Sequence, residues 1–341
     1  MKVVMYYNNK DIRIEEMLKT QIGPDELLVK TMACGICGSD VMEWYRIKKA
    51  PRVLGHEMTG KIVEAGKNVK DFKVRDRVFV SHHVPCNECR YCLNGHHTVC
   101  ETLHSTNFDP GGFSEYVRVP KINVEFGTFR LPDEISFEDG TFIEPLGCVI
   151  RGQRRANIKP NHTVLVIGSG ISGLLQIQLA RTIGVKKIIA TDVNEYRMNS
   201  AKKFGADFVI NAKEDVPNRV KEINGEKLAD RVIVCTGAIS AIYQALKSVD
   251  KGGTILFFAP TDPGININLP FNDFWSNQIT LTTTYAAAPD DIKEAIRLIR
   301  SRKVNVHDMI THRLSLAETG KGFQIVASAK DSIKVIIETQ K

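Results

Sequence analysis

Apolar residues fall into two rhythms along this chain. From about residue 163 onward, short continuous apolar runs recur at 163–167, 187–191, 207–210, 231–235, 254–258 and 279–284. Between most of them, apolar positions return every three or four residues, as over 174–183, 195–204 and 238–249, and again over 290–300. Such spacing lines one face of a helix. Strands apolar on both faces, alternating with amphipathic helices, predict a parallel doubly wound α/β sheet. The preceding residues follow a different rhythm, with short β-runs at 27–31, 60–64, 77–80 and 113–119 punctuated by glycine and proline. That pattern predicts an irregular, β-rich domain carrying loops. The final forty or so residues are mixed in character and are expected to pack back on the first domain. The expected division is 1–151 completed by 286–341, with 152–285 forming the second domain.

Composition narrows the class. At 341 residues, with 43% hydrophobic and 25% charged positions, the chain is long enough for about two globular domains. No apolar stretch approaches the roughly 18 residues that span a bilayer. The amino terminus reads as the first β-strand of a cytoplasmic protein, and neither a membrane nor a nucleic acid is an expected partner. The formal charge of +7 is scattered among acids rather than gathered into a basic stripe.

Cysteine spacing adds the first chemistry. Cys86, Cys89, Cys92 and Cys100 follow C-x2-C-x2-C-x7-C, four soft thiolates within fifteen residues, which suits a closed structural zinc site. The alternatives are disulfides, which fit a secreted chain better, or an iron–sulfur cluster. The bacterial ferredoxin run has a shorter last gap followed by proline, whereas Glu101 follows here. Cys34, Cys148 and Cys235 lack such company and are expected to be buried free thiols.

A second chemistry sits in the α/β half. Gly168-Ser169-Gly170-Ile171-Ser172-Gly173 joins the apolar run 164–167 to an amphipathic helix. In that context GxGxxG is a dinucleotide fingerprint. The first glycine makes the turn, the second admits a pyrophosphate, and the third lets the helix pack on the strand. The helix N-terminus offers unpaired N–H groups to the phosphates. Asp192, nineteen residues after Gly173, stands where a carboxylate would accept from the ribose 2′-hydroxyl of NAD and repel the 2′-phosphate of NADP. Arg197 would cover the adenine, or serve as a solvated helix charge.

Cys34-Gly35-Ile36-Cys37-Gly38-Ser39-Asp40, then Gly55-His56-Glu57, then Glu144-Pro145-Leu146-Gly147 complete an ordered set. Together with the cysteine loop and the fingerprint, this set resembles the zinc-containing medium-chain dehydrogenases over essentially the whole chain. Within them it is most similar to the sorbitol (polyol) and threonine dehydrogenases. The resemblance implies a GroES-like catalytic domain beside the Rossmann sheet, one catalytic and one structural zinc, and a homodimer or homotetramer.

It also implies site roles. Cys37 and His56 would ligate the catalytic zinc, with Glu57 or Glu144 as third ligand and an open position for substrate. Asp40 would orient His56 through its other ring nitrogen. Zinc would polarise an alcohol oxygen while hydride passes to the nicotinamide, and Ser39 would take up the released proton.

The chain departs from its relatives at several points. Met42 stands where many carry a proton-relaying histidine, Glu43 where polyol enzymes carry a tyrosine, and Thr284 where they carry an arginine before Tyr285. His83 matches a histidine that threonine dehydrogenases keep near the active site, whereas His82 is expected at the surface. Glu43, Trp44 and Tyr45 either line the pocket or pack the loop. The expected activity is NAD-dependent oxidation of a secondary alcohol in a polyol or sugar. The alternatives are an L-threonine or amino-alcohol 3-dehydrogenase, and a non-enzymatic zinc-stabilised NAD(H) sensor.

Overall fold

The computed structural model describes every residue from Met1 to Lys341. Two compact units share the chain: Met1–Gly147 with Ala286–Lys341, and Cys148–Tyr285. The division falls inside the helix Ile143–Arg155.

The first unit is β-rich. Its larger sheet runs Ile310–Ser315, Lys334–Glu338, Leu27–Gly35, Glu57–Ala65, Arg77–Ser81 and Thr128–Arg130, with Tyr116–Val119 also paired to Leu27–Gly35. A three-stranded sheet places Lys2–Asn8 between Asp11–Glu16 and Arg52–Val53. The carboxy-terminal strand docks antiparallel on Leu27–Gly35, pairing Ile336 with Gly35 and Ile337 with Cys34. The last residues therefore return to the first domain. Val29, Met58, Ile62, Val78, Val80, Phe113, Val117, Phe323 and Ile337 form much of its core. Glycine is obligatory at two close approaches. A Cβ at Gly60 would sit 2.3 Å from the Lys30 carbonyl, and one at Gly35 would sit 2.4 Å from the Glu57 carboxylate.

The second unit is a six-stranded parallel sheet ordered Phe208–Asn211, Lys187–Asp192, Thr163–Ile167, Ala229–Val234, Val249–Phe257 and Thr280–Thr283. Thr163–Ile167 is central and buried at every position, as its unbroken β-branched and leucine run requires. The strands match the apolar runs to within a few residues. Two helices of this unit escaped the periodicity: the short Phe271–Ser276, and Val216–Ile223, whose cap Asp215 accepts from the Asn218 N–H and whose first turn holds Pro217. Of the three thiols expected to be buried, Cys34 is enclosed, whereas Cys148 and Cys235 are only half-buried. No helix is long and apolar enough to cross a membrane.

Candidate metal and cofactor sites

The strand Leu27–Gly35 ends just before Cys37, and the strand Glu57–Ala65 begins just after His56. Because these strands pair antiparallel, with Gly35 opposite Glu57, their ends converge. One donor atom from each of Cys37, His56 and Glu57 falls within 4.8 Å of the other two. Glu144, buried in the first turn of Ile143–Arg155, is not part of this cluster. Of the two glutamates left open by the sequence, the structure groups Glu57 with Cys37 and His56.

A network of charges holds these donors. Asp40 is fully buried; it accepts from the Cys37 N–H at 3.0 Å and faces His56 Nδ1 at 3.3 Å, which leaves Nε2 for a metal. Arg46 donates to Asp40 Oδ1 at 3.1 Å, to Ser39 Oγ at 2.8 Å and to the Ser39 carbonyl at 2.9 Å. Burial works against the Asp40 carboxylate, but His56 and Arg46 outweigh it and hold its pKa below the usual value. Burial likewise works against a charged His56, yet Asp40 and Cys37 raise its pKa well above the usual value. Ser39 Oγ directs its own hydrogen to Cys37 Sγ at 3.4 Å.

On the other side of the cluster, Glu57 Oε2 accepts from Lys334 Nζ, and both residues are buried. Lys334 lies over the Phe142 ring at 5.4 Å. A buried carboxylate needs such a partner, since its desolvation costs on the order of several kcal/mol. Gly35 leaves the room for this pair: a Cβ there would also fall 2.5 Å from Lys334 Cε. Neither Arg46 nor Lys334 carries any motif in the sequence, and only tertiary contact identifies them.

The donor set fits a divalent, borderline-soft cation. A thiolate, an imidazole and a carboxylate are zinc ligands, and three of them leave the open position that catalysis needs. The four-cysteine loop fits a closed site. Cys89 and Cys92 sulfurs are 3.6 Å apart, as are those of Cys86 and Cys100. That is close to the edge of a tetrahedron of about 2.3 Å zinc–sulfur bonds and far beyond a disulfide bond of about 2.05 Å. Backbone N–H groups of Cys89 and Cys86 donate to Cys86 and Cys100 sulfurs at 3.3 and 3.5 Å. Burial raises the Cys92 thiol to about 12, while backbone hydrogen bonds overcome burial and bring Cys100 down to about 6. A shared cation would allow all four thiols to ionise.

His82 is a correction. It is half-buried rather than a surface residue, its ring 4.9 Å from that of His56 and 3.8 Å from that of His83. Burial first, then His83, His56 and Arg46, lower its pKa well below that of free histidine. Glu43 accepts from the Asn9 N–H at 3.3 Å, and Tyr45 is exposed against Trp44.

In the second unit, the glycine-rich turn links Thr163–Ile167 to the helix Ile171–Ile183. Gly168 has φ +91°, the left-handed region that favours glycine. A Cβ at Gly173 would sit 1.9 Å from the Gly168 carbonyl, so only glycine permits the packing. At Gly170, by contrast, a Cβ would meet only the Arg197 guanidinium, the nearer atom at 3.8 Å. The space beside the turn is therefore open, with Ile171 and Ser172 in the first turn of the helix. Asp192 ends its strand, accepting from the Ser169 N–H at 2.8 Å and the Asn194 N–H at 2.9 Å. A carboxylate fixed beside a glycine turn and a helix N-terminus fits a dinucleotide.

Two family models match the chain: the alcohol dehydrogenase GroES-like domain over residues 23–129 and the zinc-binding dehydrogenase over residues 172–301. A sorbitol dehydrogenase of Bacillus subtilis is 32% identical, covering 99% of this chain and 97% of its own length. A probable D-xylulose reductase A of Aspergillus clavatus is 33% identical, with 92% and 89% covered. Among solved structures, a zinc-binding dehydrogenase of Sinorhizobium meliloti bound to NADP superposes with TM-score 0.89 at 27% identity over 99% of both chains. With these likenesses spanning both units, the chain belongs to the zinc-containing medium-chain alcohol dehydrogenases, enzymes that pair zinc with a nicotinamide cofactor.

Proposed function

We propose that this enzyme oxidises a secondary alcohol of a polyol or sugar, with NAD as hydride acceptor. The observation that carries the reading is the convergence of Cys37, His56 and Glu57 donor atoms within 4.8 Å. These residues would hold the catalytic zinc, and Cys86, Cys89, Cys92 and Cys100 a structural one. Bound zinc supplies Lewis-acid polarisation of the alcohol oxygen.

The chain's own residues do the rest. Asp40 fixes the tautomer and orientation of His56. Ser39 Oγ is the atom through which the proton released by the alcohol would pass, the hydroxyl giving up its own hydrogen to solvent as it accepts the new one. Arg46 cannot relay a proton onward, since its guanidinium stays charged. Its bond to Ser39 Oγ instead holds that hydroxyl in place and eases the departure of the hydroxyl's own hydrogen. Gly168 makes the turn, Gly173 lets the helix pack on it, and Gly170 leaves room for the pyrophosphate at the start of Ile171–Ile183, where Ile171 and Ser172 lie. Asp192 favours the 2′-hydroxyl of NAD, and Arg197 lies where it can cover the adenine.

The polyol assignment draws support from the sorbitol dehydrogenase and D-xylulose reductase relatives. NAD over NADP rests on Asp192, against the neighbour bound to NADP. A homodimer or homotetramer in the cytoplasm completes the reading. The uncharged edge strand Thr280–Thr283, with exposed Phe271 and Trp275 nearby in sequence, is a surface suited to self-association. The test is NADH formation by purified protein over polyols, sugars and amino alcohols, with zinc measured per chain. Turnover of sorbitol-like polyols with two zinc ions per chain is the expected result. Preference for L-threonine would shift the substrate class, and NAD(H) binding without alcohol-dependent turnover would leave a sensor.

A further inference from the structure

The strands Glu57–Ala65 and Arg77–Ser81 pair antiparallel with Glu57 opposite Ser81. One step beyond that register, His56 meets His82, which explains the 4.9 Å between their rings. His83 and the edge of Phe108, at 3.8 and 6.4 Å, also pack on the His82 ring.

The backbone that carries His82 is rigidly built. Fully buried Asn123 donates to the carbonyls of Ser81 and His82 at 2.9 and 3.1 Å. Ser81 Oγ donates to the His83 carbonyl at 2.9 Å. Thr106 Oγ1 accepts from the Val84 N–H at 2.8 Å and donates to the Val84 carbonyl at 3.3 Å. A side chain on such a platform is positioned rather than mobile.

Two buried atoms of this platform lack a partner, Asn123 Oδ1 and, on the ring beside His56, Nδ1 of His82. His82 Nδ1 is buried and has no hydrogen-bond partner in the protein. Buried polar atoms are almost always paired, so an unpaired one beside a reaction centre marks a place for a ligand group. We propose that His82 is a specificity-determining residue, which hydrogen-bonds a hydroxyl on the carbon next to the one oxidised and so selects vicinal diols. A ring nitrogen that can accept or donate suits a hydroxyl, which can do both.

The inference rests on the polyol reading, and the experiment separates the two. Holoenzyme is assayed with NAD on 2,3-butanediol and on 2-butanol, which lacks only the neighbouring hydroxyl. Wild type, His82→Phe and His82→Gln are compared, with zinc content measured for each. His82→Phe keeps an aromatic ring but offers no hydrogen bond. It should lower kcat/KM for the diol about 10- to 100-fold, mostly through KM, while 2-butanol turnover and zinc content hold. His82→Gln should fall between and retain part of the diol preference. An equal fall on both alcohols, or an unchanged diol-to-monoalcohol ratio in both variants, overturns the assignment and leaves the polyol reading standing. Wild type that oxidises neither alcohol, nor any polyol in the screen, sinks that reading and the inference with it.

Discussion

The two metal-suited clusters of the first unit are built in opposite ways. Cys86, Cys89, Cys92 and Cys100 lie within one loop, held by two N–H···S bonds and short turns, with little core of their own beyond Leu103. Cys37, His56 and Glu57 stand at strand ends and are braced by Asp40, Arg46 and Lys334, the last lying 277 residues from Glu57 in sequence. On the proposed reading the loop would depend on zinc for its shape, since two N–H···S bonds are all that otherwise opposes the repulsion of four thiolates. The strand-end cluster keeps its shape through the sheet and its ion pairs. On that reading one site would be made by the metal, and the other made for it.

Four substitutions sharpen that contrast, in descending order of effect. Cys37→Ser should abolish turnover and remove one zinc per chain, while the thermal midpoint and NAD binding stay near wild type. A large loss of stability there would mean that the strand-end site also needs its metal to fold. Cys92→Ser should do the reverse, removing one zinc and exposing residues 86–100 to limited proteolysis with a lowered Tm. Structural zinc sites contribute on the order of 10 kcal/mol of apparent binding free energy. If the variant resists protease as wild type does, the loop holds its own shape.

Lys334→Met leaves the Glu57 carboxylate buried without its cation. Loss of one partner of a buried pair costs about 3–5 kcal/mol, readable by urea denaturation, and Lys334→Arg should recover part of it. An unchanged midpoint would show that Glu57 finds another partner. The smallest effect is expected in the second unit. Asp192→Ala should shift the ratio of kcat/KM for NAD over NADP toward NADP on the order of tenfold, about 1.4 kcal/mol. If that ratio holds, the carboxylate does not set cofactor preference.

Much of this was legible in advance for a physical reason. Strand periodicity is local, so the sheet of the second unit emerged from runs such as 163–167. Cysteine spacing is local too, as is the glycine turn, where Gly173 answers to a contact five residues away in the chain. The helix Val216–Ile223 was missed because only Val216, Val220 and Ile223 carry its apolar face.

The sequence by itself determined the elements, the cysteine loop and the nucleotide turn, because each is a statement about neighbours along the chain. Only the tertiary structure decided that Glu57 joins Cys37 and His56, that Lys334 neutralises its free oxygen, that Arg46 holds Ser39, and that His82 leaves the surface. Those contacts arise from antiparallel pairing between distant strands. Sequence periodicity shows which face of a strand is apolar, but it carries no record of which strand will lie beside it.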